Sequence, residues 1–402
     1  MSCPNLLREL ACVPDQSTSA YSSLRWHGLG QERQVDLFYC NSLKALLCQT
    51  SRAYSGQGHM KNSVSIYFVK TELEALAAEM VAGQLGLGAS NLLVYSGAKA
   101  PYLINPDAFD NILEFSYEKE KGFLKEKRGI YNNLKKLGTE VGRLRPRPEN
   151  IYIHLPRLST SKTNYAINYL IKKFPQSIVR VRLIPHGIVS SSLISITPAR
   201  RLKLLRRKFH FSSIFFPALK YYPPTHDLIG GLDQIVDRVY TFQGLSTPFP
   251  AHKVVELSGL RNYVQSTPKA RSERSAIIIG QPLLENDLIS EENHDIVTKQ
   301  IRDWLTANSF QTIYYSKHPR SKDRLDFFQN EYKLLEQDGA VEIALCEIQP
   351  DVVISCYSTA LATAKVLFGN QIQAISFGLM LSQSDKKEGL SRFFSSINIE
   401  IH

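Results

Sequence analysis

The chain has 402 residues, 43% apolar and 21% charged, which makes it a folded globular protein long enough for two domains. A formal net charge of +11 favours anionic partners: nucleic acid, an anionic membrane surface or acidic substrates. No run approaches the roughly eighteen apolar residues of a membrane-spanning helix. Cys3, Cys12, Cys40, Cys48, Cys346 and Cys356 show no paired metal-ligand spacing, and several sit in apolar runs. They read as reduced, mostly buried thiols of a cytosolic protein. Met1 to Asp15 lacks the charged-then-apolar pattern of a signal peptide. The expected location is the cytoplasm, or the inner face of the cytoplasmic membrane.

Residues 1–33 are irregular, with scattered Ser and Gly, and read as a leader. From Gln34 an alternation begins. Strands are expected at 34–40, 63–69 and 91–95, with a helix over 42–51. Thr71 and Glu74 form the signature of a capping box that opens a helix running to Gly86 or Gly88. A charged helix follows at 118–138, then a strand at 151–155, a helix at 164–174 and a strand at 177–184. This βαβα series predicts a parallel sheet covered by helices on both faces. The middle, 186–270, is less regular, with one more strand at 236–242 and a polar stretch at 245–272. A second α/β series then runs through strands at 275–279, 312–315, 351–355 and 373–377. Helices are expected from Ser290 to Ala307, over 321–336, and from Ser358 to Gly369. Val341–Leu345 is a short apolar segment, and 387–394 has helical character. The expected organisation is a leader over 1–33, a first Rossmann-like domain over 34–260, a second over 261–384 and a tail over 385–402.

Chemistry-bearing residues gather at the ends of these strands, where open α/β sheets bind ligands. Lys317-His318-Pro319-Arg320 places three anion-seeking side chains after one strand. Proline keeps the residue before it extended, so His318 sits at a strand end and not in a helix. The same run also reads as a solvated basic turn. Ser358 and Thr359 open a helix whose N-terminus offers free N–H groups and a positive dipole end, suited to an anion; the plain alternative is an N-cap and nothing more. Pro185-His186-Gly187 ends a strand of the first domain with a histidine able to act as a general base, or with an ordinary loop histidine. Gly280-Gln281-Pro282 is a glycine turn that would let a nucleotide or sugar approach backbone. Residues 198–210 form a basic helix with Leu202, Leu205 and Phe209 on one face, suited either to an anionic membrane or to packing on the core. Nucleic acid is disfavoured, because no aromatic platform interleaves the basic residues.

In the order His-Gly, Gly-Gln, His-Pro and Ser-Thr, residues 150–380 resemble the bacterial sialyltransferases of the lipooligosaccharide and polysialic acid capsule type. The resemblance implies an α/β, GT-B fold, two doubly wound Rossmann-like domains facing a cleft. It implies an inverting, metal-independent glycosyltransferase that uses a CMP-linked nonulosonic acid such as CMP-sialic acid. Carried over by position, His318 contacts the donor phosphate and is a proposed acid for the leaving CMP, with Lys317 and Pro319 beside it. Ser358 and Thr359 hold that phosphate, Glu342 faces the cytidine ribose, and Gly280 and Gln281 match the turn after the domain's first strand. No cofactor and no metal site are implied; the sugar nucleotide is a co-substrate. The acceptor is a surface glycan, with an anionic inner membrane as a partner through 198–210, and no nucleic acid.

One motif departs from that family. Its first-domain strand usually ends in a pair of acids before glycine, and here Pro185-His186-Gly187 stands in that place. His-Gly is reminiscent of the teichoic acid glycerophosphotransferases, which use a CDP-linked donor. Three readings therefore remain open: a CMP-nonulosonate transferase with His186 as base, a CDP-polyol phosphotransferase, or a non-catalytic protein that binds anionic glycan or lipid.

Overall fold

A computed structural model describes residues 62–84, 89–96, 100–115, 123–160, 162–186, 195–208, 216–245, 247–266, 273–318, 321, 324–335, 339–384 and 387–402. The strand expected at 34–40, the helix at 42–51, and Gly187, Pro319 and Arg320 lie outside the described residues.

Seven parallel strands form the first sheet: β1 (Ser63–Val69), β2 (Ala89–Tyr95), β3 (Asn111–Glu114), β4 (Asn150–Leu155), β5 (Ile178–Leu183), β6 (Val236–Phe242) and β7 (Val254–Leu257). Their spatial order is β3-β2-β1-β4-β5-β6-β7. Six more parallel strands form the second sheet: β8 (Ser275–Ile279), β9 (Thr312–Ser316), β10 (Lys333–Leu335), β11 (Val352–Ser355), β12 (Gln373–Ser376) and β13 (Glu400–Ile401). Their order is β10-β9-β8-β11-β12-β13. Each sheet thus grows outward from its first strand in one direction and then reverses. The reversal points lie between β1 and β4 and between β8 and β11, and crevices for ligands open at the carboxyl ends of such strands. The helices are α1 (Glu72–Gln84), α2 (Phe123–Arg143), α3 (Tyr165–Lys173), α4 (Pro198–Lys208), α5 (Gly259–Ser266), α6 (Glu291–Ala307), α7 (Val341–Ile348), α8 (Thr359–Phe368) and α9 (Lys387–Ser396).

Central strands are buried on both faces, and their side chains split between two cores. In β1, Val64, Ile66 and Phe68 enter one apolar cluster and Tyr67 and Val69 another. In β8, Ile277 and Ile279 join the cluster that holds Tyr67, while Ala276 and Ile278 face a third. The shared cluster runs continuously from one sheet to the other. It includes Ala75, Leu76 and Met80 of α1, Leu260 and Val264 of α5, and Leu361 and Ala364 of α8. Two-sided burial is why these strands read as nearly unbroken apolar runs.

Several elements differ from expectation. No helix covers the described residues between 321 and 335. Asp326 turns inward to accept from the backbone N–H groups of Leu283 and Leu284 at 2.6 and 3.4 Å, and Phe327 adopts a left-handed φ of 68°. That conformation ends any helix, and the chain continues into the edge strand β10. Val341–Leu345 belongs to helix α7, not to an isolated apolar segment. The polar stretch at 245–272 contains β7 and α5. The tail adds β13 to the second sheet beside β12. In α4, Leu202 and Leu205 are 52% and 40% exposed, whereas Leu204 is 5% exposed. Leu204 is the side chain that anchors the helix, so the expected stripe of Leu202 and Leu205 faces outward; Phe209 lies outside the described residues. No helix among the described residues is long and apolar enough to cross a membrane.

Candidate active site

The carboxyl end of β1 carries the first acid. Thr71 Oγ1 accepts from the Glu74 N–H at 3.4 Å, which fixes the start of α1. The Glu74 carboxylate turns back over that start and accepts from the Lys70 N–H through Oε2 at 2.6 Å. Its other oxygen, Oε1, lies 2.5 Å from His186 Nδ1. His186 follows β5, two strands away from β1, so the loop after β5 reaches across the end of β4 to meet it. The Glu74 side chain is 3% exposed and the His186 side chain 32%. The buried acid is thereby paired, and the imidazole keeps one side toward solvent. A neutral imidazole that donates Nδ1–H to Glu74 has its lone pair on Nε2. The arrangement is an imidazole oriented by a carboxylate, a pairing able to serve as a base.

At the second sheet, the end of β8 and the end of β11 are tied together. Gln281 is buried, and its Oε1 accepts from the Tyr357 N–H at 2.8 Å. Ser355 Oγ donates to the Ile279 carbonyl at 2.7 Å and lies 3.2 Å from the same Gln281 oxygen. Gly280 has no room for a side chain: a Cβ there would fall 2.8 Å from Tyr315 Cζ and 3.2 Å from the Ser316 carbonyl oxygen. Its N–H donates to that carbonyl at 2.9 Å. Gly280 and Gln281 thus build the crevice from within: the glycine by close packing against β9, the glutamine by anchoring the β11–α8 turn. Asp326 holds the next two residues of the loop, with His294 Nε2 3.5 Å from its second oxygen.

Ser358 is the N-cap of α8, extended at φ −68° and ψ 139°, and its Oγ accepts from the Ala360 N–H at 3.2 Å. Thr359 is the first helical residue, and both are half-buried at the positive end of the helix dipole. His318 follows β9 and is half-buried, Lys317 is exposed, and the His318 carbonyl accepts from the Ser321 N–H at 3.0 Å. Strands β9 and β11 flank β8 in a parallel sheet, so both ends lie on one edge about 10 Å apart, at roughly 4.8 Å per strand. One anion of phosphate size, with what it is attached to, can span that gap. Glu342, in the first turn of α7, is buried, and burial pushes its pKa up to about 7. Burial likewise pushes Cys356 up to about 12, so this thiol beside the hydroxyl residues stays protonated and is a poor nucleophile. Among the described residues no three His, Cys, Asp or Glu side chains are grouped to hold a metal ion.

From the sequence His186 stands out after its strand, whereas Glu74 reads solely as a helix cap. The missed signal was positional: a Thr-x-x-Glu box placed directly after the first strand of a Rossmann-like sheet also puts its acid at the reversal point.

A family model described as alpha-2,8-polysialyltransferase matches residues 88–375. No curated protein matches the chain. Among solved structures, the alpha/beta-galactoside alpha-2,3-sialyltransferase of the luminous marine bacterium Photobacterium phosphoreum is similar over 85% of this chain and 98% of that one, at 11% identity and a TM-score of 0.51. A putative UDP-N-acetylglucosamine 2-epimerase from Listeria monocytogenes aligns over 84% of this chain and 88% of its own, at 11% identity and a TM-score of 0.45. The wall teichoic acid polymerase TagF aligns over 86% and 78%, at 8% identity and a TM-score of 0.38. The first of these likenesses shows the fold: two Rossmann-like domains of the GT-B type.

Proposed function

Because the chain belongs to the alpha-2,8-polysialyltransferase family, and is therefore a glycosyltransferase, we propose that it transfers a nonulosonic acid, sialic acid or a relative, from a CMP-linked donor to a surface glycan, with inversion. The observation that carries this reading is the Glu74–His186 pair at the edge of the first sheet. It supplies a base where the His-Gly motif stands in place of the family's acids. The acceptor hydroxyl donates its proton to His186 Nε2 as its oxygen attacks the anomeric carbon. The bond from that carbon to the CMP phosphate oxygen breaks, and its electron pair leaves with the phosphate. Inversion in one displacement needs no protein nucleophile, in keeping with the protonated Cys356.

On the donor side, His318 and Lys317, with the hydroxyls of Ser358 and Thr359 and the start of α8, hold the phosphate and offset the charge that builds on it. These groups make a metal unnecessary for the leaving group in this proposal, and no cofactor enters it. Glu342 faces the ribose; half-protonated near neutral pH, it can donate or accept a hydrogen bond there. The acceptor is a lipopolysaccharide or capsule precursor. The outward Leu202 and Leu205, flanked on α4 by Arg201 and Arg206, support a peripheral site of action on an anionic membrane surface.

The test is donor turnover with CMP-sialic acid and with CDP-glycerol side by side. CMP release that depends on acceptor with the first donor, and none with the second, is expected. Turnover of CDP-glycerol alone would establish the polyol phosphotransferase instead, and binding of anionic glycan without turnover of either would establish a non-catalytic protein.

A further inference from the structure

A second cavity lies apart from the base and donor residues assigned above, on the inner face of the basic helix α4. A cavity of about 210 Å³ opens between the loop after β4 and the inner face of α4. Arg157, Ser159 and Thr160 line it from the loop, and Arg200, Lys203 and Arg207 from the helix. The three helical cations stand at spacings of three and four residues, so they share one face. Leu204, on the same face, seats the helix against the body. Four cations therefore meet in one concavity, and no carboxylate among the described residues lines it or forms an ion pair with them. Arg207 also lies over the Tyr221 ring, 5.9 Å from its centroid, which limits its freedom.

Four like charges gathered without an acid repel one another and gain most from a ligand that carries more than one negative charge. Two hydroxyls beside them, on Ser159 and Thr160, suit an oxygen-rich anion. A carboxylate would occupy one arginine fork and leave the other cations uncompensated. The volume is several times the roughly 30 Å³ share of a water molecule, so it admits a tetrahedral oxyanion and the first atoms joined to it. We propose that this cavity binds a dianionic phosphoryl group, a phosphate monoester or diphosphate. The proposal rests on the cavity alone and not on the transferase reading, since binding is measured without turnover.

The outer face of α4, with its exposed leucines, makes a phosphorylated lipid headgroup one source of that group; a soluble phosphorylated sugar is the other. The experiment uses the full chain and two side-chain truncations on solvent-exposed positions, Arg157→Ala and Lys203→Ala, which do not touch the core. In the soluble arm, calorimetry with glucose 6-phosphate and inorganic pyrophosphate is expected to show binding that weakens about tenfold in each variant, as for the loss of one charge-assisted hydrogen bond. In the lipid arm, flotation compares phosphatidylcholine vesicles doped with phosphatidic acid or with phosphatidylglycerol at equal total charge. Preference for phosphatidic acid that is lost in both variants, but kept in Leu202→Ser/Leu205→Ser, assigns the lipid source. Soluble binding without that preference assigns the sugar phosphate. Equal binding to both vesicles, with no soluble phosphate binding sensitive to the variants, would overturn the proposal and leave a diffuse basic surface.

Discussion

The two halves of this protein have the same sheet order through six strands, yet their edges carry different side chains. In the proposed reaction, Glu74 and His186 at the first reversal point handle the proton. In the same proposal Ser358, Thr359, Lys317 and His318 hold the anion at the second, where Gln281 and Asp326 brace the loops. The topology supplies the two crevices, and the residues placed in them decide what each does. In a one-step inversion the acceptor oxygen attacks from the face opposite the departing phosphate oxygen, so a base on one side and anion-holding groups on the other suit the proposed reaction.

That contrast can be broken from either side. The largest effect is expected at the proton-handling edge. His186→Ala should lower kcat about 10²- to 10⁴-fold while leaving nucleotide affinity unchanged, measured by turnover beside calorimetry with CMP. Loss of CMP binding in that variant would mean the two edges are not divided as described. At the anion-holding edge, Ser358→Asp keeps an N-cap and adds a negative charge. It should leave the melting temperature nearly unchanged and abolish CMP-induced thermal stabilisation; stabilisation that survives would remove the α8 start from the donor site. Gln281→Ala should destabilise the fold by about 1–3 kcal/mol in urea unfolding, because the Tyr357 N–H loses its buried partner. A neutral result would make the glutamine a ligand contact and not a brace.

How much of this was legible in the sequence follows from burial. Strands β1, β8 and β11 are covered on both faces, so each is a largely apolar run bounded by turn residues. The unread strands β3, β7, β10 and β13 are short, lie at sheet edges, and include exposed residues such as Glu114, Glu256, Lys333 and Glu400. At four residues or fewer they are too short for a strand period to stand out in the sequence. The helix expected over 321–336 fails for a tertiary reason: Asp326 is needed beneath the loop after β8. For the site, His186, His318 and Ser358 were visible because each follows a strand. Glu74 was visible as a cap and invisible as a partner, since its histidine lies more than a hundred residues away and meets it through the β1–β4–β5 arrangement.

A smaller effect comes from a buried acid remote from both edges. Glu79 of α1 accepts from the Asn105 N–H at 2.5 Å, and burial pushes its pKa up to about 7 from 4.5. A folded-state pKa above the unfolded one means the fold prefers the protonated acid. Its contribution is fully present below pH 4.5 and is lost as pH rises through about 7, an effect on the order of 3 kcal/mol at most. Glu79→Gln should flatten the stability profile across that window, read from urea midpoints at several pH values. An unchanged slope would assign the dependence to another group.

The central claim is that Glu74 and His186 act as one base, and a double-mutant cycle on kcat tests it most directly. Glu74→Gln alone should cost about 10- to 10²-fold, less than His186→Ala, because it removes orientation and not the base. In the His186→Ala background the same Glu74 change should cost nothing further. Losses that multiply would contradict the account, showing that the two residues act separately.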